Sequence, residues 1–430
     1  MDSYHIIGGK RISGSHKLTG AKNGVLPILA ASLVTGETCT IHNCPDLLDV
    51  NTMLTILKEL GCKVQREKNT VIVDSSQLTQ SYIPKVLGKE MRSSVFLLGP
   101  MLARCGAVEM SHPGGCAIGA RPIDLHLKAL QKMGAKVEEE NEKLFCRALK
   151  LKGTTIRLDF PSVGATENIM MAALSAEGET RIVHPAKEPE IEDLQNFLNA
   201  CGASIVGAGT GEIVISGGKP LHGAEHKVIP DRIEAGTFLA AAAVTKGELL
   251  LENAAPFQMA STLAKFREMG CSLRTEQDRI YLKAPQRLKA VKEIKTLPYP
   301  GFPTDMQSQF LTLMSLADGQ SKMTETIFEN RFKQIDALKN MGAQIELQGC
   351  SAKVIGVEEL RGCHVEAKDL RGGAAMVIAG LAASGETIVE KICHIDRGYD
   401  KFEVALKNLG ARIERIQEDE REKNYKCEKA

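Results

Sequence analysis

The chain has 430 residues and carries 54 Lys plus Arg against 53 Asp plus Glu, a formal net charge of +1. That balance exerts no global pull towards nucleic acid or an anionic membrane, so an anion site has to be built locally. Aromatic residues are 4% of the chain and Trp is absent, which leaves few stacking platforms for single-stranded nucleic acid or sugars, and the length favours two or three domains over one core.

The opening residues, MDSYHIIGGKRI, show no basic segment followed by an apolar core, and no apolar run in the chain reaches membrane-spanning length. A cytoplasmic protein without membrane insertion is expected. From Thr19 the pattern becomes periodic: an Ala/Leu-rich helix ends at Gly36, a short strand and a loop follow, and a second helix ends at Gly61 before a pair of strands. The same order recurs six times at intervals of about seventy residues. The first glycine returns as Gly106, Gly178, Gly247, Gly319 and Gly385, and the second as Gly134, Gly202, Gly270, Gly342 and Gly410. Each glycine of the second set ends an apolar run with helical spacing, as in LKELGCKV, LQKMGAKV and LKNLGARI, where a helix C-terminus calls for a left-handed residue. The strand pairs KVEEENEKLFCRA and SLRTEQDRIYLKA read as hairpins. Unrelated α/β segments would not reproduce both glycines in every unit.

Six units of one type divide most simply into two domains of three. The sixth lacks a closing strand, because residues 417–430 form a charged tail poor in apolar residues. The opening YHIIGGKRISG matches the unit-closing KVIGVEELRGC from Lys353, so the N-terminus is expected to complete the last domain. The expected domains are residues 1–21 with 230–430, and residues 22–229, with the second crossing in the Gly- and Pro-rich segment near residues 217–230.

Charged residues gather where the first helices begin: Lys22 and Asn23, Arg92, Asp231 with Arg232, Asp305, and Asp369 with Arg371. Arg121, Arg331 and Arg397 lie in strand-to-helix loops. Repeat-equivalent positions should face equivalent places, so two facing domains could converge them on a cleft, where cations beside helix N-termini would hold phosphate and carboxylate. Each one alone reads more readily as a cap or a surface ion pair, and the anion-site reading gains from their repeat-equivalent positions taken together. The segment GGCAIGAR from Gly114 has the glycine spacing of a P-loop but continues with Ala120-Arg121, and no GxGxxG follows a strand and opens a helix. ATP hydrolysis and hydride transfer lose their main supports.

The longest of the glycine-rich loops is HPGGCAIGARPIDLH, residues 112–126. It suits a mobile lid, and it carries Cys116 five residues before Arg121, whose charge would favour a thiolate. His112 and His126 are read as packed or locally hydrogen-bonded. The other cysteines among the twelve are scattered, with no CxxC, and the adjacent pairs Cys363-His364 and Cys393-His394 are poor chelators, so no metal site is expected.

The segments TGAKNGVLPIL, HPGGCAIGARPIDLH, PSVGATENIMMAA, PDRIEAGTFLAAAA, FPTDMQSQF, FENRF, KDLRGGAA and HIDRGYDKFE together resemble the UDP-N-acetylglucosamine 1-carboxyvinyltransferase family, the enolpyruvyl transferases that open peptidoglycan synthesis. The resemblance runs from about residue 5 to about residue 415. It implies an α/β fold of two domains, each an inside-out barrel of three βαβαββ units. It also implies transfer of the enolpyruvyl group of phosphoenolpyruvate to the 3′-hydroxyl of UDP-N-acetylglucosamine through a tetrahedral ketal, with release of phosphate. No metal or organic cofactor and no macromolecular partner is implied, and a monomer would suffice.

Carried over by position, Lys22 holds phosphoenolpyruvate, Asn23 lies near the transferred group, and Cys116 donates a proton to the methylene carbon and can form a covalent adduct. Arg121 contacts phosphate; Pro122, Ile123, Asp124 and Leu125, with Ser162, Val163 and Gly164, match the uridine-nucleotide pocket. Asp305 matches the carboxylate that binds and deprotonates the sugar hydroxyl, and Ile327 a backbone contact to the sugar nucleotide. Arg92, Arg331, Arg371 and Arg397 match anion contacts, and Asp369 a residue supporting the cysteine. The related shikimate-pathway transferases lack the loop cysteine and these nucleotide-pocket motifs. An RNA-end cyclase would need nucleotide-activating chemistry that the chain does not display, and a silent repeat scaffold would not need these residues together.

Several cations around phosphoenolpyruvate, which carries about three negative charges near neutral pH, would also lower the Cys116 thiol pKa. Small anionic electrophiles such as the epoxide fosfomycin are therefore expected to alkylate Cys116 rapidly. Phosphoenolpyruvate and the sugar nucleotide should slow that labelling, as followed by peptide mass spectrometry; labelling indifferent to both would remove Cys116 from the site.

Overall fold

The computed structural model describes residues 2–114, 118–119 and 122–417. Cys116, Arg121 and all of the charged tail but Gln417 lie outside the described residues.

The chain forms two compact units, the first of Met1–Thr19, Ala117–Gly119 and Pro230–Ala430, the second of Gly20–Cys116 and Ala120–Ile229. Among the described residues there are six small sheets, five of four strands and one of three. In each four-stranded sheet the strand after a first helix pairs with an antiparallel strand on one side and with a short parallel strand on the other. Thr38–His42 takes Glu225–Lys227 as its parallel neighbour, and Glu248–Glu252 takes Ser13–Lys17. Parallel partners cannot be joined by a tight turn and have to come from a distant stretch of chain, here more than 180 residues away in the first case, counted between Thr40 and Glu225. The N-terminal strand Ser3–Ile7 lies between Glu386–Glu390 and Arg412–Ile416, antiparallel to both, with Ser3 opposite Glu390 and Ile416. The sixth repeat thus obtains its fourth strand from the chain's own beginning.

The second repeat departs from the pattern. Its sheet is Ala107–Ser111, Lys143–Arg147 and Lys136–Glu140, and the parallel strand shrinks to one bridge between Tyr82 and Glu109. The hairpin within it turns at Asn141 and Glu142, both left-handed (φ 50° and 63°), as a two-residue turn that matches strand twist requires.

The first helices of five repeats are buried almost all round, whereas that of the second repeat, Leu98–Cys105, leaves Arg104 and Cys105 exposed. In the first unit Arg232–Val244, Gln307–Ser315 and Leu370–Ala382 pack against one another, and only Arg232 and Ala382 of their residues are not buried. In the second, Lys22–Ala31 and Val163–Ala173 are nearly as enclosed. A helix with no polar face has to be wrapped, and the sheets and second helices do this. Phe238, Phe266, Phe310 and Phe402 fill the first core, Phe197 and a set of Leu, Ile and Met side chains the second. No helix among the described residues is long and apolar enough to cross a membrane.

All six second-set glycines are left-handed, from φ 92° at Gly270 to 105° at Gly61. The first set holds with one exchange: at the fourth repeat Lys246 (φ 57°) takes the left-handed position, and Gly247 is kept small by the Ile12 carbonyl, which fills the space of a Cβ. The two glycine-capped turns at Gly61 and Gly342 differ in their surroundings. A Cβ on Gly61 would lie 2.7 Å from the Gln77 carbonyl and Thr79 Oγ1, whereas one on Gly342 would meet nothing within 4 Å. Gly342→Ala is therefore expected to cost about 1 kcal/mol of backbone strain, and Gly61→Ala about 1–3 kcal/mol more. Urea unfolding midpoints of the two variants should rank in that order.

Candidate active site

In the first unit the site is organised around Asp305. It sits in the 3₁₀ turn Thr304–Met306 that leads into the buried helix Gln307–Ser315. Arg331 Nη2 donates to Asp305 Oδ1 at 2.7 Å and Arg371 Nη2 to Oδ2 at 3.1 Å. The arginine side chains are 4% and 3% exposed, and the Asp305 side chain 24%. Burial pushes the Asp305 carboxyl up, but the Arg371 and Arg331 guanidiniums outweigh it and hold the group well below the usual carboxylate range.

Arg371 is fixed in turn. It occupies the first turn of Leu370–Ala382, its Nη1 donates to the Tyr399 hydroxyl at 3.1 Å, and its guanidinium lies 5.4 Å over the Tyr399 ring. The Tyr399 hydroxyl is 2.9 Å from Thr237 Oγ1 and accepts from Gln309 Nε2 at 3.4 Å. Burial pushes that hydroxyl's pKa up, which keeps it protonated. Arg331 donates through Nη1 to Thr304 Oγ1 at 3.0 Å, while its Nε is buried and has no hydrogen-bond partner. Such a donor suits an anion.

Asp369 is the N-cap of Leu370–Ala382: Oδ1 accepts from the N–H groups of Arg371 (3.0 Å) and Gly372 (2.8 Å), and buried Oδ2 has no partner. Ile327 lies in the loop after the strand Gln320–Thr324, its N–H donating to Glu325 Oε1 at 2.7 Å. Arg397 follows the helical turn Cys393–Asp396 and is half-buried. Burial, then the Arg397 charge, hold the His394 imidazole below its ordinary pKa.

In the second unit Lys22 is the first residue of Lys22–Ala31 and lies buried with its Nζ 2.8 Å from Asp49 Oδ2. Asn23 is half-buried beside it. Arg92 opens the 3₁₀ turn Arg92–Leu97 and donates from Nη1 to the Pro113 carbonyl at 3.3 Å. Ser162 caps Val163–Ala173, its Oγ accepting from Ala165 N–H at 3.4 Å, with Val163 and Gly164 in the first turn. The helix Asp124–Lys132 packs on this one. His126 is buried there, with Asn168 Nδ2 donating to its Nδ1 at 2.8 Å, while Asn168 also donates to the Val95 carbonyl and accepts from Gly99 N–H. Residues 122–125 and 162–164 thus adjoin beside the buried His126–Asn168 pair. Pro122 is exposed, Ile123 buried, Leu125 half-buried, and Asp124 pairs with Lys128 at 3.0 Å. The long loop is shorter than the sequence suggests, since Asp124 to His126 are already helical. His112 is on the surface, 3.2 Å from Glu139.

Sequence reasoning placed six of these groups in the first unit, Asp305, Ile327, Arg331, Asp369, Arg371 and Arg397, and the structure assembles three of them into one ion cluster. It missed Asp49, Tyr399 and Glu325. Tyr399 lies inside HIDRGYDKFE, but nothing in that string reveals that its hydroxyl reaches Arg371. Among the described residues no group of three or more His, Cys, Asp or Glu side chains could hold a metal ion, and six of the ten described cysteines are buried free thiols.

Because the folded-state pKa of Asp305 is depressed, its contribution to stability is complete above the unfolded value of about 3.9 and declines as pH falls below it. Asp305→Asn leaves two buried guanidiniums without their shared carboxylate, an expected loss of about 3 kcal/mol at pH 7. The stability gap between variant and wild type should narrow in denaturant titrations below about pH 4.

A family model described as EPSP synthase (3-phosphoshikimate 1-carboxyvinyltransferase) matches residues 6–416. UDP-N-acetylglucosamine 1-carboxyvinyltransferase 2 of Caldanaerobacter subterraneus subsp. tengcongensis is 52% identical over 416 residues, covering 97% of this chain and 100% of that protein. UDP-N-acetylglucosamine 1-carboxyvinyltransferase of Finegoldia magna is 50% identical over 421 residues, covering 97% and 99%. Among solved structures, the enolpyruvyl transferase NikO from Streptomyces tendae superposes with a TM-score of 0.88 at 24% identity, covering 96% of this chain and 99% of that one. EPSP synthase from Acinetobacter baumannii superposes with a TM-score of 0.74 at 21% identity, covering 97% and 100%. The structural likenesses establish the two-domain α/β fold, and the sequence relatives narrow the branch. The chain belongs to the enolpyruvyl transferase family, with the UDP-N-acetylglucosamine 1-carboxyvinyltransferases as its relatives at half identity or more.

Proposed function

We propose that this chain transfers the enolpyruvyl group of phosphoenolpyruvate to the 3′-hydroxyl of UDP-N-acetylglucosamine, releasing phosphate, as the opening step of peptidoglycan synthesis in the cytoplasm. What carries the reading is identity of about half along the full length of relatives bearing that activity in their name. The Asp305–Arg331–Arg371 cluster supplies its chemistry.

In the addition step the sugar hydroxyl gives its proton to Asp305 as its oxygen bonds to C2 of phosphoenolpyruvate, and the former double-bond pair takes a proton at C3 from the Cys116 thiol. In the elimination step the C2–O bond to phosphate breaks, the methyl group returns a proton to the Cys116 thiolate, and Asp305 gives its proton to the departing phosphate. Base and acid are thus used in reverse, and nothing is consumed beyond the two substrates.

Asp305 beside two guanidiniums is a weak base. An arriving trianion competes for those guanidiniums, and each contact it makes weakens their hold on the carboxylate and raises its basicity. Arg331 and Arg371 then serve phosphoenolpyruvate together with Lys22, Asn23, Arg121 and Arg397. The free Nε of Arg331 supports that assignment. Lys22 would exchange Asp49 for the substrate in the same way. Arg92, Arg121, residues 122–125 and 162–164, Asp305 and Ile327 are assigned to UDP-N-acetylglucosamine. Asp369, with Oδ2 unpartnered, is assigned to support of Cys116.

Phosphate release should require both substrates, should not occur when shikimate 3-phosphate replaces the sugar nucleotide, and should fall at least about 100-fold in Asp305→Ala. Release without the sugar nucleotide, or turnover unchanged in Asp305→Ala, would contradict the proposal. Cys116→Asp keeps a proton donor and loses a nucleophilic sulfur, so it should turn over while escaping alkylation by fosfomycin.

A further inference from the structure

Glu325 is an acid that the proposed chemistry does not use. It follows the strand Gln320–Thr324 and is 1% exposed. Oε1 accepts from Ile327 N–H at 2.7 Å, Phe328 N–H at 3.1 Å and Thr296 Oγ1 at 2.8 Å. Oε2 accepts from Thr304 Oγ1 at 2.8 Å. Four donors on one buried carboxylate is an expensive arrangement, since loss of the acceptor would strand several donors at once.

Both arms lead to residues assigned above. On the first, the Ile327 N–H is occupied by Glu325, so the group this residue can offer a ligand from its backbone is its carbonyl oxygen, an acceptor. On the second, Thr304 Oγ1 accepts from Arg331 Nη1 at 3.0 Å, and Arg331 Nη2 donates to Asp305. A cross-brace joins the arms: Phe328, held by Oε1, lies with its ring 5.5 Å from the Arg331 guanidinium. Thr304, Phe328 and Arg331 therefore close a ring around the one carboxylate.

We propose that Glu325 is a positioning residue with two outputs: it commits the loop at Ile327 to recognise an N–H or O–H donor of the sugar nucleotide through a carbonyl, and through Thr304 and Arg331 it orients the Asp305 carboxylate. This rests on the assignment of Asp305 and Ile327 to that substrate. A substitution that spares one arm separates the outputs. In Glu325→Gln the amide oxygen serves the three donors at Oε1, and the NH₂ group meets Thr304, which already accepts from Arg331. The loop is kept and the Asp305 arm is disturbed. Thr304→Val breaks the same arm from its other end, and Glu325→Ala breaks both.

The test combines steady-state kinetics on the full chain, with phosphoenolpyruvate and UDP-N-acetylglucosamine, and calorimetric binding of UDP-N-acetylglucosamine alone. Glu325→Gln and Thr304→Val should each lower kcat about five- to tenfold with the sugar-nucleotide Kd changed less than about twofold, and the double variant should be no worse than the poorer single one. Glu325→Ala, if folded, should in addition weaken sugar-nucleotide binding about tenfold. Wild-type kcat in Glu325→Gln and Thr304→Val, or additive losses in the double variant, would overturn the inference while leaving the proposed function standing. A wild-type chain inactive on this substrate pair would instead overturn the proposed function.

Discussion

The constraint on which the rest of the structure depends is the burial of the first helix in five of the six repeats, all but the second. Gln307–Ser315 has no exposed face, and Arg232–Val244 and Leu370–Ala382 each leave one terminal residue outside the core. Helices so enclosed approach solvent only at their ends, where the unpaired N–H groups require partners. Asp231, Ser162 and Asp369 answer that need as N-caps, with Asp305 in the turn before another such helix. The same demand that caps a buried helix places charge where a substrate can use it. Function at helix N-termini is thus a consequence of wrapping, repeated because the repeat is.

Within that frame the balance of charge is set locally. Two buried guanidiniums share Asp305, and Tyr399 closes the far side of Arg371 by hydrogen bond and ring face. Each arginine gains orientation from a neutral partner, Thr304 or Tyr399, and Arg371 also feels the Asp231 carboxylate. Within the cluster Arg331 keeps one buried donor, its Nε, without a hydrogen-bond partner. Lys22 is paired with Asp49 on the following helix, which holds its side chain in place.

The array was legible because its signal is local. A left-handed residue after a helix is a demand of a few consecutive residues, and Gly61, Gly134, Gly202, Gly270, Gly342 and Gly410 all meet it. The exception at Lys246 shows the limit, for there the glycine answers to the Ile12 carbonyl, 235 residues away by position 247 less position 12, and the left-handed residue moves back by one. The parallel strand reduced to the Tyr82–Glu109 bridge was likewise invisible, since a strand's partner is not written in the strand. For the site, the residues that touch substrate in the family came from motif resemblance, whereas the partners that hold them did not. Asp49 is one acidic residue in a helix rich in polar side chains, and Glu325 lies in TETIFENRF with a second acid, Glu329; only the folded chain brings four donors to it. Contacts of long sequence separation decide these, and a single sequence carries no record of them.

The central claim is that this scaffold performs an addition followed by an elimination at phosphoenolpyruvate. Turnover in D₂O with UDP-N-acetylglucosamine tests it most directly. Proton delivery to C3 creates a methyl group, so the vinyl methylene of the product should carry deuterium when examined by mass spectrometry. Enolpyruvyl product formed without deuterium in that methylene would contradict the account.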